Sequence, residues 1–167
     1  MMSFPTPLRL WRLLPALALT LAVTAMAAAP AAAQVENPVE GRGPQVIDTA
    51  TLDFAGRQVR LFGLQGIAEA QSCSAGTRVW ACGREALWAA RNRIANHWVH
   101  CRPVPGAAQA ASAEAPLVCD LGGRGGPELN AWLVEQGWAL ADRAASAAYA
   151  DHEDAARAAG QGVWRSR

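Results

Sequence analysis

The chain has 167 residues and a formal net charge of +1, from 15 arginines, no lysine and 14 acidic residues. That is about one domain's worth, and near-neutrality excludes a histone-like or polybasic nucleic-acid binder while leaving room for a local basic patch. Hydrophobic residues make up 51%, charged residues 17%, and there are seven Trp, so a real core is expected rather than a mainly disordered chain.

Arg9 and Arg12 precede an uncharged run from Leu13 to Ala29, and Ala31-Ala32-Ala33 follows before Gln34. A positive n-region, an apolar h-region and a small-residue cleavage site predict a secretory signal peptide over residues 1–33. An uncleaved anchor is the alternative, because the run reaches spanning length only with its Ala-rich tail. Cleavage would remove two arginines and place the protein in the periplasm or outside the cell. No other segment is apolar enough to cross a bilayer, so no membrane contact is expected afterwards. Residues 34–44, polar and interrupted by Pro and Gly, read as a leader into a domain spanning 45–165.

Gln45 to Phe54 is rich in β-branched residues and reads as one strand. Ala55-Gly56 is a short turn. Arg57 to Leu64 has apolar residues on both faces, which suits a closed barrel. Gln65 to Ala81 reads as a loop. Gly83 to Asn96 carries Ala86, Leu87, Ala90 and Ile94 at helical spacing. Trp98 to Val104 reads as a strand ended by Pro103 and Pro105. Residues 106–115 are low-complexity, and Leu117 to Leu121 is a returning strand. Gly122 to Gly126 is a plain turn, since no Lys-Ser/Thr pair follows. Pro127 to Gln136 reads as a helix with Pro at its start and Gly137 past its end. Ser146 to Ala159 reads as another, with Ser146 as N-cap. Strands, helix, strands and helices in that order suggest an α+β domain with a small antiparallel barrel.

In an exported chain the four cysteines are disulfide candidates. Cys73, Cys82, Cys101 and Cys119 allow three pairings. Sequence-local pairing, Cys73–Cys82 and Cys101–Cys119, is the expectation, and no spacing suits zinc. His97, His100 and His152 fit neither a metal cluster nor a Ser-His-Asp site, and no G-x-S-x-G is present. Arg84, Arg91 and Arg93 read as a solvated helix face by default, with phosphate as the alternative. An exposed Trp80 or Trp98 could stack on a base.

Specific stretches now combine: Val46-Ile47-Asp48, Val59-Arg60-Leu61-Phe62-Gly63-Leu64, Gln71-Ser72-Cys73, Cys82-Gly83-Arg84-Glu85-Ala86, Glu128 to Ala139, and Tyr149, Glu153, Arg157 and Gly162-Val163-Trp164. In order and spacing the chain from Val46 to Trp164 resembles the staphylococcal-nuclease-like (thermonuclease) family. The resemblance implies an α+β fold: a five-stranded antiparallel OB barrel with about three helices, of a kind that commonly binds oligonucleotides. It also implies calcium-dependent cleavage of DNA or RNA phosphodiesters.

Such cleavage needs an activated water, a cation on the phosphate and stabilisation of the developing charge. In the family, D-G-D-T and D-x-P-E stretches supply the calcium ligands and the base, and two Arg hold the phosphate. Here the first stretch is Asp48-Thr49-Ala50-Thr51, with Asp48 and Thr51 as the remaining metal-site residues. The second is Gln65-Gly66-Ile67-Ala68, with Glu69 one residue out of register. Arg60 keeps the first Arg, and Glu114 stands about where the second belongs. Calcium takes six to eight oxygens, several from carboxylates. The expectation is therefore a catalytically inactive module with no cofactor. The alternative is a weakly active nuclease using calcium. A monomer is expected, and its partner is open, with nucleic acid held weakly as one candidate.

Overall fold

The computed structural model describes residues 38–104 and 115–165, which lie within a unit spanning Ala33–Arg167. Strand β1, Val39–Arg42, falls in the stretch read as a leader. It pairs antiparallel with a later strand, setting Val39 opposite Cys101 and Arg42 opposite Trp98. Such a strand needs little propensity of its own, because its partner supplies the ladder. Gly41 fits there because a Cβ would press on the Phe54 ring at 3.1 Å.

Residues 45–54 form two strands rather than one. β2, Gln45–Asp48, and β3, Thr51–Phe54, are separated at Thr49-Ala50. The Asp48 carboxylate accepts the Ala50 N–H at 2.7 Å and closes a local turn, a known competitor of the sheet ladder. The turn at Ala55-Gly56 is as expected: both residues have positive φ, 54° and 94°, as a tight two-residue hairpin requires. Asp53 accepts the Gly56 N–H at 2.6 Å. β4, Arg57–Arg60, completes a β2–β3–β4 meander.

β5, Leu64–Gln65, is short. The segment expected to be loop contains a hairpin, β6 at Cys73–Ala75 and β7 at Arg78–Trp80. Helix α1, Cys82–Ile94, buries Ala86, Leu87, Ala90 and Ile94, the stripe its periodicity predicts. β8, Trp98–Pro103, pairs with β9, Leu117–Leu121, and with β1. α2, Leu129–Glu135, stops at Gly137, whose φ is 66°. The Gly137 and Trp138 N–H groups donate back to Val134 and Leu133 at 2.9 and 2.8 Å, a Schellman closure. Side chains are barred at Gly137 a second time, because a Cβ would lie 2.4 Å from the Gln161 carbonyl oxygen.

β10, Leu140–Ala141, pairs with β5. α3 is Ala150–Ala158, starting four residues later than expected. Ser146 is not its cap: it accepts the Ala148 N–H at 3.1 Å, and Asp142 takes those of Ala144 and Ala145. These side-chain turns hold the chain out of helix. A 3₁₀ turn over Gly162–Trp164 follows.

The expected five-stranded OB barrel is not found. The strands form antiparallel sheets of order β1–β8–β9 and β2–β3–β4, plus the pairs β5–β10 and β6–β7, and none closes. Closure needs hydrogen-bonded pairing carried around the whole circuit. Here the ladder of β4 ends at Arg60, and only single contacts continue: a bridge from Leu61 to Leu117, and bonds from Leu61 N to Ala50 O and from Phe62 N to Leu117 O. In the Arg57–Leu64 stretch Val59, Leu61 and Leu64 are buried in the core and Phe62 is half-buried against it. The α+β content and three helices are as expected, and the two sheets share one core with α1 and α2. Val59, Leu61, Leu133 and Val134 are buried in it as expected, while Trp132 and Trp138 are half-buried at its edge.

The disulfides are Cys73–Cys82 and Cys101–Cys119, the sequence-local pairs, with Cα separations of 5.6 and 4.0 Å. Cys101 faces Cys119 directly across β8 and β9. Among the described residues no helix is long and apolar enough to cross a membrane.

Candidate functional site

The meander brings together three of the positions that the resemblance singles out. Asp48 stands opposite Thr51, and Thr51 stands opposite Arg60. The segment after β5 packs on the Asp48–Ala50 turn. Thr49, 1% exposed, accepts the Ile67 N–H at 2.8 Å. Gly66 packs so closely on Asp48 that a Cβ would lie 2.2 Å from its Oδ1. That oxygen already accepts the Ala50 N–H. Among the described residues no ion pair joins Asp48 to Arg60.

Ala50 decides what this place can do. It is 4% exposed and belongs to the hydrophobic core. An aspartate there would bring a carboxylate into apolar packing, which is costly unless paired. Gln65 and Ala68 are exposed and contribute no carboxylate. Glu69 turns to α1, where its carboxylate lies 3.8 Å from the Arg91 guanidinium. Among the described residues these motif positions offer one carboxylate, Asp48, half committed to a turn, and one threonine, whereas calcium takes six to eight oxygens. Among the described residues no group of three or more His, Cys, Asp or Glu is placed to hold a metal. Glu114 lies outside the described residues.

Arg60 instead borders a cavity of about 450 Å³ with Phe62, Leu64, Pro116, Asp142 and Ala145. Its size is within the range of small-molecule sites. Neither Asp48 nor Gly66 lines it. Arg60 and Asp48 therefore belong to different surroundings, although their strands both pair with β3.

Buried polar residues hold this region in place. Asn130 is fully buried: its Oδ1 accepts the Cys119 N–H at 3.1 Å, and its Nδ2 donates to the carbonyls of Phe62 and Leu117 at 3.1 and 3.2 Å. A polar residue inside an apolar helix stripe is the signal that marks it. Glu153, 2% exposed, is held by Arg157 at 2.7 Å and Arg143 at 3.4 Å. Its signal is the Arg four residues later. In the β1–β8–β9 sheet, buried His100 meets Glu40 at 3.0 Å, and buried Asp120 meets Arg102 at 3.5 Å.

Tyr149 packs under Gly63, and its hydroxyl donates to Glu128 at 2.6 Å. Burial, followed by the bond to the Glu128 carboxylate, pushes its pKa above the ordinary tyrosine value. Below about pH 10 both folded and unfolded tyrosine are protonated, so this group gives no pH dependence. Above it the unfolded state loses the proton first, and stability falls by up to about 1.4 kcal/mol per pH unit. Tyr149 is the only tyrosine. Tyrosinate absorbance is therefore expected only well above pH 10 in the folded protein, and near pH 10 in denaturant. Coincident titrations in the two states would refute this burial.

No protein-family model matches the chain, and no curated protein matches it.

Proposed function

We propose that this is an exported domain of the staphylococcal-nuclease-like kind that has lost phosphodiester cleavage and persists as a binding or structural module. The observation that carries the reading is Ala50, a core residue where the family pattern places a metal-binding aspartate. Asp48 remains, but its Oδ1 closes a backbone turn, and Glu69 turns to Arg91. Loss of a single electrostatic donor commonly lowers a rate by about 10²–10³, and here metal ligands and base are altered together. Export is supported by the charged, apolar and small-residue order of the N-terminus and by two disulfides, which persist in oxidising compartments.

The test is calorimetry of calcium on the purified protein, with a DNA and RNA cleavage assay in calcium and in chelator. No saturable heat at millimolar calcium and no calcium-dependent cleavage are expected. Micromolar affinity with calcium-dependent cleavage would establish the competing reading, a weak calcium nuclease, for which the Asp48–Thr51–Arg60 neighbourhood is the observation in favour. Ala50→Asp is expected to lower stability rather than create calcium affinity, because the new carboxylate enters the core. A thermal melt with and without calcium reads both.

A further inference from the structure

Trp88 lies in the middle of α1 on its outward face and is 67% exposed. The domain's own packing does not call for it there, since the inward stripe of Ala86, Leu87, Ala90 and Ile94 is already buried. Nor does helix formation, because aromatic side chains lose rotamer freedom in a helix. Six tryptophans fall among the described residues, and four are covered by an arginine: Trp80 and Trp138 by Arg165, Trp132 by Arg93, and Trp164 by Arg157. Trp88 is not one of these four.

Its neighbours on the helix surface are Arg84 four residues before, Arg91 three residues after and Asn92 four after, all exposed. The ion pairs of this helix join Arg91 to Glu69 at 3.8 Å, between two groups more than half exposed, and Glu85 to Arg165. Neither takes Arg84. The outward face thus presents cation, indole and cation over a rise of about 10 Å. No α1 residue lines the Arg60 cavity.

We propose that this face of α1 binds single-stranded nucleic acid, with Trp88 stacked on a base and Arg84 and Arg91 on the flanking phosphates. An anionic chain with π faces matches all three groups at once. A membrane surface matches less well, because an interfacial helix needs a broad exposed apolar face, and that of α1 lies in the core. A protein hot spot is ringed by contacts that exclude water, whereas Trp88 is flanked by charged and amide groups. The inference goes beyond the loss of cleavage proposed above and stands whether or not the Arg60 cavity binds anything.

The experiment is fluorescence anisotropy of a labelled oligothymidylate with the purified protein over a salt series, with thermal melts confirming that every variant is folded. Binding at low salt is expected. Trp88→Ala should weaken it roughly 5- to 150-fold, the range for one stacked base, and Trp88→Phe should restore most of the loss. Arg84→Ala and Arg91→Ala should each reduce the salt slope by about 0.7. Arg124→Ala, an exposed arginine on the loop after β9 and outside this face, should leave binding unchanged, and inorganic polyphosphate, which has charge but no bases, should compete poorly. The inference is overturned if the protein does not bind the oligonucleotide at low salt, if the three helix variants bind like the unaltered protein, or if phosphatidylglycerol vesicles are preferred. Loss of binding in Arg60→Ala alone would overturn it too, and would assign nucleic-acid binding to the cavity. Calcium dependence plays no part in these outcomes, so they are separable from the test of lost cleavage.

Discussion

Asn130→Asp is expected to destabilise the protein by roughly 3–5 kcal/mol, although it leaves the side chain's shape almost unchanged. The Asn130 amide faces two carbonyls, those of Phe62 and Leu117, and its oxygen faces the Cys119 N–H. Aspartate keeps the acceptor and loses both donors. Its second oxygen would meet two carbonyl oxygens in a fully buried place, as a charge or as an acid with one proton for two acceptors. Total stabilities of about 5–15 kcal/mol make such a loss a large fraction of the whole. Asn130→Ala removes the partner without introducing repulsion, so a smaller loss of about 2–3 kcal/mol is expected from the unpaired buried groups. Urea unfolding followed by far-UV circular dichroism gives both numbers. An Asn130→Asp variant as stable as Asn130→Ala would show that the amide does not face those carbonyls.

Removal of the Cys101–Cys119 disulfide by double replacement with Ala is expected to cost about 3 kcal/mol through the freedom returned to the unfolded chain, with a further loss from core packing. The bond closes a segment with a sequence separation of 18, and neither cysteine is exposed. The Cys73–Cys82 bond closes a shorter one, with a separation of 9, and Cys73 is half-exposed. A mild dithiol should therefore reduce Cys73–Cys82 in the folded protein, releasing the β6–β7 hairpin from α1. Cys101–Cys119 should resist until the protein unfolds. Timed thiol trapping with mass mapping distinguishes the two. Appearance of Cys101 and Cys119 adducts before those of Cys73 and Cys82 would contradict the burial order.

Local signals decided much of the chain in advance. The α1 stripe was legible because four apolar residues repeat at helical spacing and fall in the core. The α2 stop was legible because Gly137 is the residue that left-handed closure favours. The β8 and β9 strands, with a cysteine in each, made local disulfide pairing the simplest expectation, and the strand register places those cysteines opposite one another. Each of these is a property of a few consecutive residues, so a sequence contains it. Closure of the sheets is not such a property. It depends on whether hydrogen bonding continues from β4 to its neighbours across distant parts of the chain, and it stops at Arg60. The roles of Asp48 and Glu69 were equally out of reach. The sequence shows that both carboxylates are present. Only the folded chain shows one accepting the Ala50 N–H under Gly66 and the other turned to Arg91. Residue types and periodicity were determined by the sequence alone, whereas the partner each polar atom meets was decided by tertiary packing, because buried polar groups take the bonds that three-dimensional proximity supplies.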